Sequence, residues 1–236
     1  MKSKHVYAGV KTLEVLEGAD NYNAWIASRI LPYIQSPALE IGAGTGNISD
    51  FLSSVEDLTL TDIDESLVEH LKERFKGKKN VSSEVFDISK TLHKISNKFK
   101  TVYSVNVLEH IEDDVLALRN MNRLLEKDGR VVLLVPAKKI AYKTLDKHLG
   151  HFRRYEKKDL ETKIKDAGFN VEYIGYFNTV GLASWILRDL ISAGHHAHLK
   201  PSQVKLFDAI VPVLRRIEPK SNLPFGISLI AVGKKI

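Results

Sequence analysis

The sequence predicts an α/β protein built on a doubly wound, mostly parallel sheet. Residues 37–55 have the pattern of a buried strand, a turn with glycines at alternate positions and an amphipathic helix, which is the order of a nucleotide-binding unit. Strand-like and helix-like segments then alternate as far as residue 177. Residues 131–136 form a continuous apolar run, typical of a central strand covered on both faces. The 236 residues suffice for one such domain with a full core.

The composition excludes several kinds of site and predicts where the protein is located. The chain has no cysteine, which excludes disulfides, thiolate metal sites and a cysteine nucleophile. Residues 1–16 lack the apolar core of a signal peptide, and the longest uncharged stretch, residues 173–187, is too short to span a membrane. We therefore expect a soluble, cytoplasmic protein, for which peripheral contact with a membrane stays open.

Positive charge is concentrated in one segment. The net charge is +6, and residues 138–165 carry ten Lys or Arg against four Asp or Glu, which accounts for the whole excess. A solvated helix face would have this pattern. An electropositive rim that attracts an anionic substrate would have it as well, because clustered like charges raise the local concentration of counter-ions.

Helical segments precede the first strand, and another follows the glycine turn. Residues 21–33 place Trp25, Ile26 and Ile30 on one side of a helix, and residues 11–16 are short and amphipathic. The helix after the turn is predicted from a stripe of four apolar residues, Ile48, Phe51, Leu52 and Val55.

A carboxylate follows the second predicted strand. Residues 58–61 alternate as a strand and end at Asp62, which lies 22 residues beyond Glu40. An ionised carboxylate at this place can accept hydrogen bonds from two ribose hydroxyls, although a purely structural acid would also fit. Asp64 is placed to cap the next helix.

The remaining elements continue the alternation. Strands are predicted at residues 81–86, 101–105, 130–136, 170–177 and 225–232, with helices at 114–126 and 160–167. Gly129 is predicted to end the first of these helices in a left-handed conformation. Before the last strand lies a helical insertion, residues 181–192 and 201–218, with Pro212 as a predicted kink. The second part is apolar on more than one side, so it is predicted to be a pocket wall, a dimer face or a membrane-surface helix.

The glycine spacing indicates which nucleotide is meant. A dinucleotide fingerprint would need glycine at position 47, but that residue is Asn47 and the third glycine is Gly46. The pattern from Glu40 to Gly46 resembles motif I of class I S-adenosylmethionine-dependent methyltransferases. The segments 107–110 (VLEH) and 145–155 (LDxxLGHxRRY) resemble further motifs of type 11/12-like members, the latter in one subset.

This resemblance covers roughly residues 21–235 and implies an architecture. The family sheet has seven strands in the order 3-2-1-4-5-7-6 with strand 7 antiparallel. A single domain over residues 1–236 is expected, with a helical lid (1–36), a cofactor-binding core (37–177), a helical insertion (178–222) and a final strand (223–236).

The resemblance also implies which residues bind the cofactor, S-adenosylmethionine, whose product is S-adenosylhomocysteine. Asp87 would accept from the adenine amino group, and Ile88 would lie against the ring. Tyr22 would contact the cofactor from the lid, or else pack onto the core. The whole implied set is Tyr22, Glu40, Gly42, Ala43, Gly44, Asp62, Ile63, Asp87, Ile88, Asn106, Val107 and Leu108.

Catalytic and acceptor-binding candidates follow the fourth and fifth strands. His110 could take a proton from a hydroxyl during methyl transfer, or simply be a hydrogen-bonded structural residue. Arginine can grip a carboxylate or phosphate through two hydrogen bonds, but Asp146 could instead pair with one arginine and pin the loop. The acceptor-binding candidates are His148, His151, Arg153, Arg154 and Tyr155.

The expected activity is metal-independent methyl transfer to an oxygen or nitrogen atom of a small molecule of anionic, sugar-linked or lipid-linked type. The Asn-Val-Leu-Glu segment 106–109 differs from the motif of enzymes that methylate DNA base amines, so no DNA partner is expected. Three histidines, at 195, 196 and 198, lack an acidic neighbour, so no metal is predicted there. An RNA methyltransferase using the basic segment and a non-catalytic partner subunit stay as alternatives, in a monomer or homodimer.

Overall fold

The structure is a computed structural model, and it describes residues 17–90, 98–181, 201–218 and 224–236. The predicted helices at 11–16 and 181–192, apart from Gly181, and the three histidines at 195–198 lie outside the described residues. Among the described residues, no helix has the length and apolar character needed to cross a membrane.

The core is a seven-stranded sheet in the order β3-β2-β1-β4-β5-β7-β6. Strand β7 runs antiparallel to both of its neighbours, and the other neighbouring strands pair in parallel. The predicted order and the antiparallel seventh strand are therefore confirmed. The strands are β1 (Ala38–Ile41), β2 (Leu58–Asp62), β3 (Val81–Val85), β4 (Phe99–Val105), β5 (Leu125–Pro136), β6 (Phe169–Phe177) and β7 (Ser228–Lys235).

Helices cover both faces of this sheet. They are α1 (Asp20–Ile30), α2 (Ser49–Leu52), α3 (Glu65–Arg74), α4 (Asp114–Leu124), α5 (Thr144–His148), α6 (Lys157–Asp166) and α7 (Pro201–Ile217). One apolar cluster packs α4 and α6 on the sheet, and a second packs α1, α2, α3 and α7 on the opposite face. In β5, Val131 and Leu133 belong to the first cluster and Val132 and Leu134 to the second, which explains why the strand is apolar throughout.

Helix α7 contacts helix α1 on the sheet face that the second apolar cluster covers. The Asp208 carboxylate accepts hydrogen bonds from the backbone N–H groups of Asn21 (3.3 Å) and Tyr22 (2.8 Å). These groups lie in the first turn of α1, where N–H groups lack partners within the helix. Helix α7 is apolar on two sides, as predicted. One side packs on the core through residues such as Val204 and Val211. The other side is exposed and carries Leu206, Ile210, Val213 and Ile217.

Three local predictions were wrong. Strand β5 begins at Leu125 instead of residue 130, and the left-handed residue is Asp128 (φ +64°), not Gly129. Aspartate tolerates this conformation, whereas Gly129 is needed because a Cβ there would lie 3.0 Å from the Glu126 carbonyl oxygen. Helix α2 ends at Leu52 because the Ser53 N–H and hydroxyl both donate to the carbonyl of Asp50, which closes a turn.

Candidate active site

The glycine turn after β1 has a backbone that few residues other than glycine adopt. Gly42, Gly44 and Gly46 have φ values of +70°, +58° and +85°. A Cβ atom on Gly42 would lie 2.6 Å from Cγ2 of Val107, which follows β4. The turn and the segment after β4 therefore meet at the carboxyl ends of two neighbouring parallel strands, where open α/β sheets bind ligands.

Asp62 holds this turn from the end of β2. Its Oδ2 accepts from the Gly44 N–H (3.0 Å) and its Oδ1 from the Asp64 N–H (3.0 Å). Burial raises the pKa of the Asp62 carboxyl. Because each carboxylate oxygen can accept a second hydrogen bond, acceptor capacity remains for ligand hydroxyls.

Glu40 lies beneath the turn and is almost fully buried. Its Oε2 accepts from the hydroxyls of Ser49 (2.6 Å) and Tyr103 (2.9 Å), which connects β1 to α2 and β4. Burial raises the pKa of the Glu40 carboxyl to about 7. These contacts support the shape of the turn, while direct contact of Glu40 with a cofactor stays a prediction.

Replacing Glu40 by glutamine should change how stability depends on pH. A carboxyl whose pKa is raised by folding contributes stability that is present below its unfolded value, near 4.5, and lost as the pH rises through about 7. Between pH 4.5 and 8, the free energy of unfolding of Glu40→Gln should therefore rise relative to that of the parent by about 3 kcal/mol. Each unit by which folding raises a pKa corresponds to about 1.4 kcal/mol. Urea unfolding of both proteins at these pH values measures the difference.

The exposed Glu69→Gln serves as the control, because Glu69 only forms a surface ion pair with Lys72. It should leave the pH dependence of the free energy of unfolding unchanged. A Glu40→Gln profile parallel to that of the parent would mean that Glu40 is already ionised in the folded protein at pH 5.

The residues predicted to bind adenine follow β3. Asp87 accepts from the Ser89 N–H (3.0 Å) and pairs with Lys90 (3.0 Å), so part of its acceptor capacity is used. Ile88 is buried in the first apolar cluster. Ile63, next to Asp62, is 64% exposed and offers apolar surface at this edge.

The segment after β4 faces the turn. Asn106 is exposed with φ +54°, and its N–H donates to the Leu134 carbonyl of β5 (2.8 Å). Leu108 is fully buried and begins a 3-10 helix, Leu108–His110. A non-glycine residue held at positive φ beside a glycine turn is a strained position of the kind found at functional sites.

Tyr22 packs on the core of the second face. Its ring contacts the rings of Trp25, Phe177 and Phe207, with centroids 5.6–6.4 Å apart. Its hydroxyl accepts from Nδ2 of Asn178 at 3.5 Å. These contacts favour the core-packing alternative over a role in contacting the cofactor.

The two arginines of the 145–155 segment are engaged with protein groups. Arg154 is buried, and its Nε donates to the Asp146 carboxylate (2.8 Å). Arg153 donates to the carbonyl of Ile111 (2.7 Å) and pairs with Asp114 (2.9 Å). The contacts favour the loop-pinning alternative through Asp146 for Arg154, whereas Arg153 is held by a different carboxylate, Asp114.

The other acceptor-binding candidates divide into two kinds. Tyr155 is buried, and its hydroxyl donates to the carboxylate of Asp114 (2.9 Å). His148 is exposed at the end of α5, whereas His151 lies in the interior of the loop with Nδ1 2.9 Å from Oδ1 of Asp146. Contact of these residues with an acceptor stays a prediction.

Three ionisable groups that no sequence pattern had indicated lie together around Glu109. Glu109 is fully buried, and neither of its carboxyl oxygens has a hydrogen-bond partner among the residues that the structure describes. Its Oε1 lies 4.0 Å from Nε2 of His151, and the His110 and His151 rings pack edge to face with centroids 4.6 Å apart. Residue 151 is 42 positions from Glu109, so no local sequence pattern could have joined them.

The pKa values in this cluster indicate how well His110 could act as a base. Burial raises the pKa of Glu109 to about 8, and burial together with His151 lowers the pKa of His110 to about 4. His110 is therefore neutral near pH 7 and able to accept a proton, but only as a weak base.

Comparisons with known proteins find a family model that matches part of this chain, including the glycine turn. Residues 39–133 match the family model described as "Methyltransferase domain". A curated relative, the non-reducing polyketide synthase prhL of Penicillium brasilianum, is 29% identical over 133 residues, which cover 51% of this chain. The chain spans about 5% of the length of that relative.

Solved structures share the fold at low sequence identity. One is a chain from the complex between the Haloferax volcanii Trm112 methyltransferase activator and a methyltransferase (TM-score 0.68, 14% identity, 99% of each chain covered). A Bacillus halodurans methyltransferase has a TM-score of 0.61, with 16% identity over 89% of this chain and 98% of that one. CalH, solved with S-adenosylhomocysteine, has a TM-score of 0.59, with 18% identity over 94% of this chain and 59% of that one.

The fold and the glycine-turn site define a class I, Rossmann-like methyltransferase fold. Residues 39–133 match the methyltransferase domain model, and a solved structure with the same fold, CalH, contains S-adenosylhomocysteine. The partial family match and the shared fold agree with the predicted class of enzyme and with its predicted cofactor. The residues fit the cofactor, because Asp62 retains acceptor capacity and the glycine turn leaves a backbone surface without side chains.

Proposed function

We propose that the protein transfers a methyl group from S-adenosylmethionine to an oxygen or nitrogen atom of a small molecule. The observation that carries the proposal is the meeting of the glycine turn, Asp62 and Asn106 at one edge of the sheet. Asp62 would hold the ribose hydroxyls, and the Gly42–Gly44 backbone would approach the methionine part of the cofactor.

The bound cofactor supplies an activated methyl group on a positively charged sulfur atom. The residues after β4 would then position the acceptor in line with that methyl group and exclude water, which is the main contribution a protein can make to such a displacement. Leu108 offers a buried apolar wall, and Asn106 offers an exposed amide that can orient a polar acceptor. His110 stays a candidate base for an acceptor that begins protonated.

The ion pairs of the basic segment, residues 138–165, help to distinguish a small-molecule acceptor from RNA. Six of its cations have acidic partners, which leaves less charge for an anionic ligand or a phosphate track. This favours a small-molecule acceptor over RNA, and the curated relative, a polyketide synthase, agrees with small-molecule chemistry. A sugar-linked or lipid-linked acceptor stays our hypothesis. Metal-independent transfer was the expectation from the sequence, but three side chains that could hold a metal ion meet at Glu109.

Transfer of radioactive methyl from labelled S-adenosylmethionine tests the proposal. The protein is incubated with a nuclease-treated small-molecule fraction of cell extract and, separately, with bulk tRNA at low and high salt. We expect label in the small-molecule fraction, lost in Asp62→Ala. Label only in RNA, falling steeply with salt, would favour the RNA methyltransferase. Absence of label together with absence of cofactor binding would favour the non-catalytic subunit.

A further inference from the structure

We propose that Glu109, His110 and His151 form a binding site for a divalent transition-metal ion. One ligand atom from each residue lies within 4.8 Å of the others. Two imidazoles and a carboxylate are ligands that zinc, iron and related ions prefer, whereas Mg²⁺ and Ca²⁺ prefer oxygen ligands. The ion would be bound by residues that directly follow the predicted acceptor-facing segment 106–108.

The unpaired carboxyl group of Glu109 is the first reason. Its side chain is 0% exposed, and within the described parts of the chain both oxygens lack a hydrogen-bond partner. Buried polar atoms are nearly always satisfied, because leaving them unpaired costs free energy. A cation between Glu109 and the two imidazoles would satisfy these oxygens.

The orientation of His151 is the second reason. Its Nδ1 lies 2.9 Å from the Asp146 carboxylate, which the Arg154 guanidinium also contacts at 2.8 Å. An ionised carboxylate can only accept, so Nδ1 carries the hydrogen and the lone pair of Nε2 is directed elsewhere. That nitrogen lies 4.0 Å from Oε1 of Glu109. Metal-ligating histidines are typically oriented by such a carboxylate on the other ring nitrogen.

His110 is held in a similar way. Its ring hydrogen-bonds to the backbone of Gly150 and packs edge to face on His151. Backbone carbonyls are the other common outer partners of metal-ligating imidazoles. Both rings are therefore fixed before any ion binds, which reduces the entropy lost on binding.

The three ligand atoms must move slightly closer together to bind one ion. Ligand distances of about 2.0–2.2 Å from a zinc ion place tetrahedral ligand atoms roughly 3.5 Å apart, so the groups would close by about 1 Å. Rotation of the Glu109 side chain can supply this movement. Three protein ligands leave a coordination position open, as in catalytic zinc sites. If the proposed function holds, an acceptor oxygen or nitrogen could occupy that position and lose its proton more readily. The proton would pass to solvent water, because His110 could not act as a base while it ligates the ion.

Zinc titration of tag-free, chelator-treated protein tests the site without any methyl transfer. Residues 195, 196 and 198 are first changed to alanine, so that the other histidine cluster does not contribute. Calorimetry and metal analysis after dialysis should give one Zn²⁺ per chain. Glu109→Gln and His151→Asn should each weaken binding at least tenfold, and Asp146→Asn by about 10–100-fold, as found for outer partners of metal ligands.

His148→Asn is the matched control, because His148 is an exposed histidine of the same loop outside the cluster. It should keep the parental affinity for zinc. Absence of stoichiometric zinc in the parent, or unchanged affinity in folded Glu109→Gln and His151→Asn, would overturn the site. Cofactor calorimetry on the same samples separates the two proposals: intact cofactor binding without zinc binding removes only the metal.

Discussion

Gly42→Ala is expected to weaken S-adenosylmethionine binding by at least about 100-fold, which corresponds to about 2.7 kcal/mol. The new Cβ would lie 2.6 Å from Cγ2 of Val107, so the turn and the segment after β4 must separate. A side chain at φ +70° adds backbone strain of about 1–2 kcal/mol. Both effects alter the surface that would receive the cofactor. Isothermal titration calorimetry measures the affinity, and urea unfolding measures the loss of stability.

Gly77→Ala provides the control for backbone strain. Gly77 has φ +89°, but no atom of the described residues lies within 4 Å of the Cβ that alanine would add. It should therefore lose about 1–2 kcal/mol of stability and keep its affinity for the cofactor. Equal cofactor affinities in Gly42→Ala and the parent would show that the turn does not contact the ligand.

Asp62→Ala should weaken cofactor binding by about 1–3 kcal/mol, which is about 5–150-fold. The substitution removes the predicted acceptor of the ribose hydroxyls and the partner of the Gly44 N–H (3.0 Å). The turn would then lose one of its anchors to β2. Binding of S-adenosylhomocysteine, which has the same ribose, should fall by the same factor.

Asp64→Ala separates this effect from a general loss of stability. Asp64 caps α3 by accepting from the Ser66 N–H (2.8 Å), as the sequence predicted. Loss of this cap should lower the free energy of unfolding by about 1 kcal/mol and leave the affinity for the cofactor unchanged. If both variants bind the cofactor as the parent does, the ribose lies elsewhere.

The sheet could be predicted because each strand is short and marked by its own residues. The alternation of buried and polar positions, the glycine turn and the apolar run of β5 are local patterns, and the known family supplied the order. The length of α2 could not be predicted, because it depends on the Ser53 side chain competing for a backbone carbonyl. The left-handed position at Asp128 depends on packing around Gly129.

The site was predictable only in part, for a related reason. Asp62 follows a strand that the sequence reveals, so its place at the sheet edge could be predicted. The partners of Arg153 and Tyr155 could not, because both bond to Asp114, about 40 positions earlier in the chain. Arginines predicted to grip an acceptor were thus found bonded to protein carboxylates. The pairing of Glu109 with His151 required the same long-range information.

A crystal structure of the protein with S-adenosylhomocysteine tests the central claim most directly. We expect the ribose hydroxyls about 3 Å from the Asp62 carboxylate, the homocysteine part along residues 42–44 and the sulfur atom directed toward Asn106. A ligand bound away from the turn, or a turn closed by neighbouring side chains in the presence of saturating ligand, would contradict the account and leave only the fold.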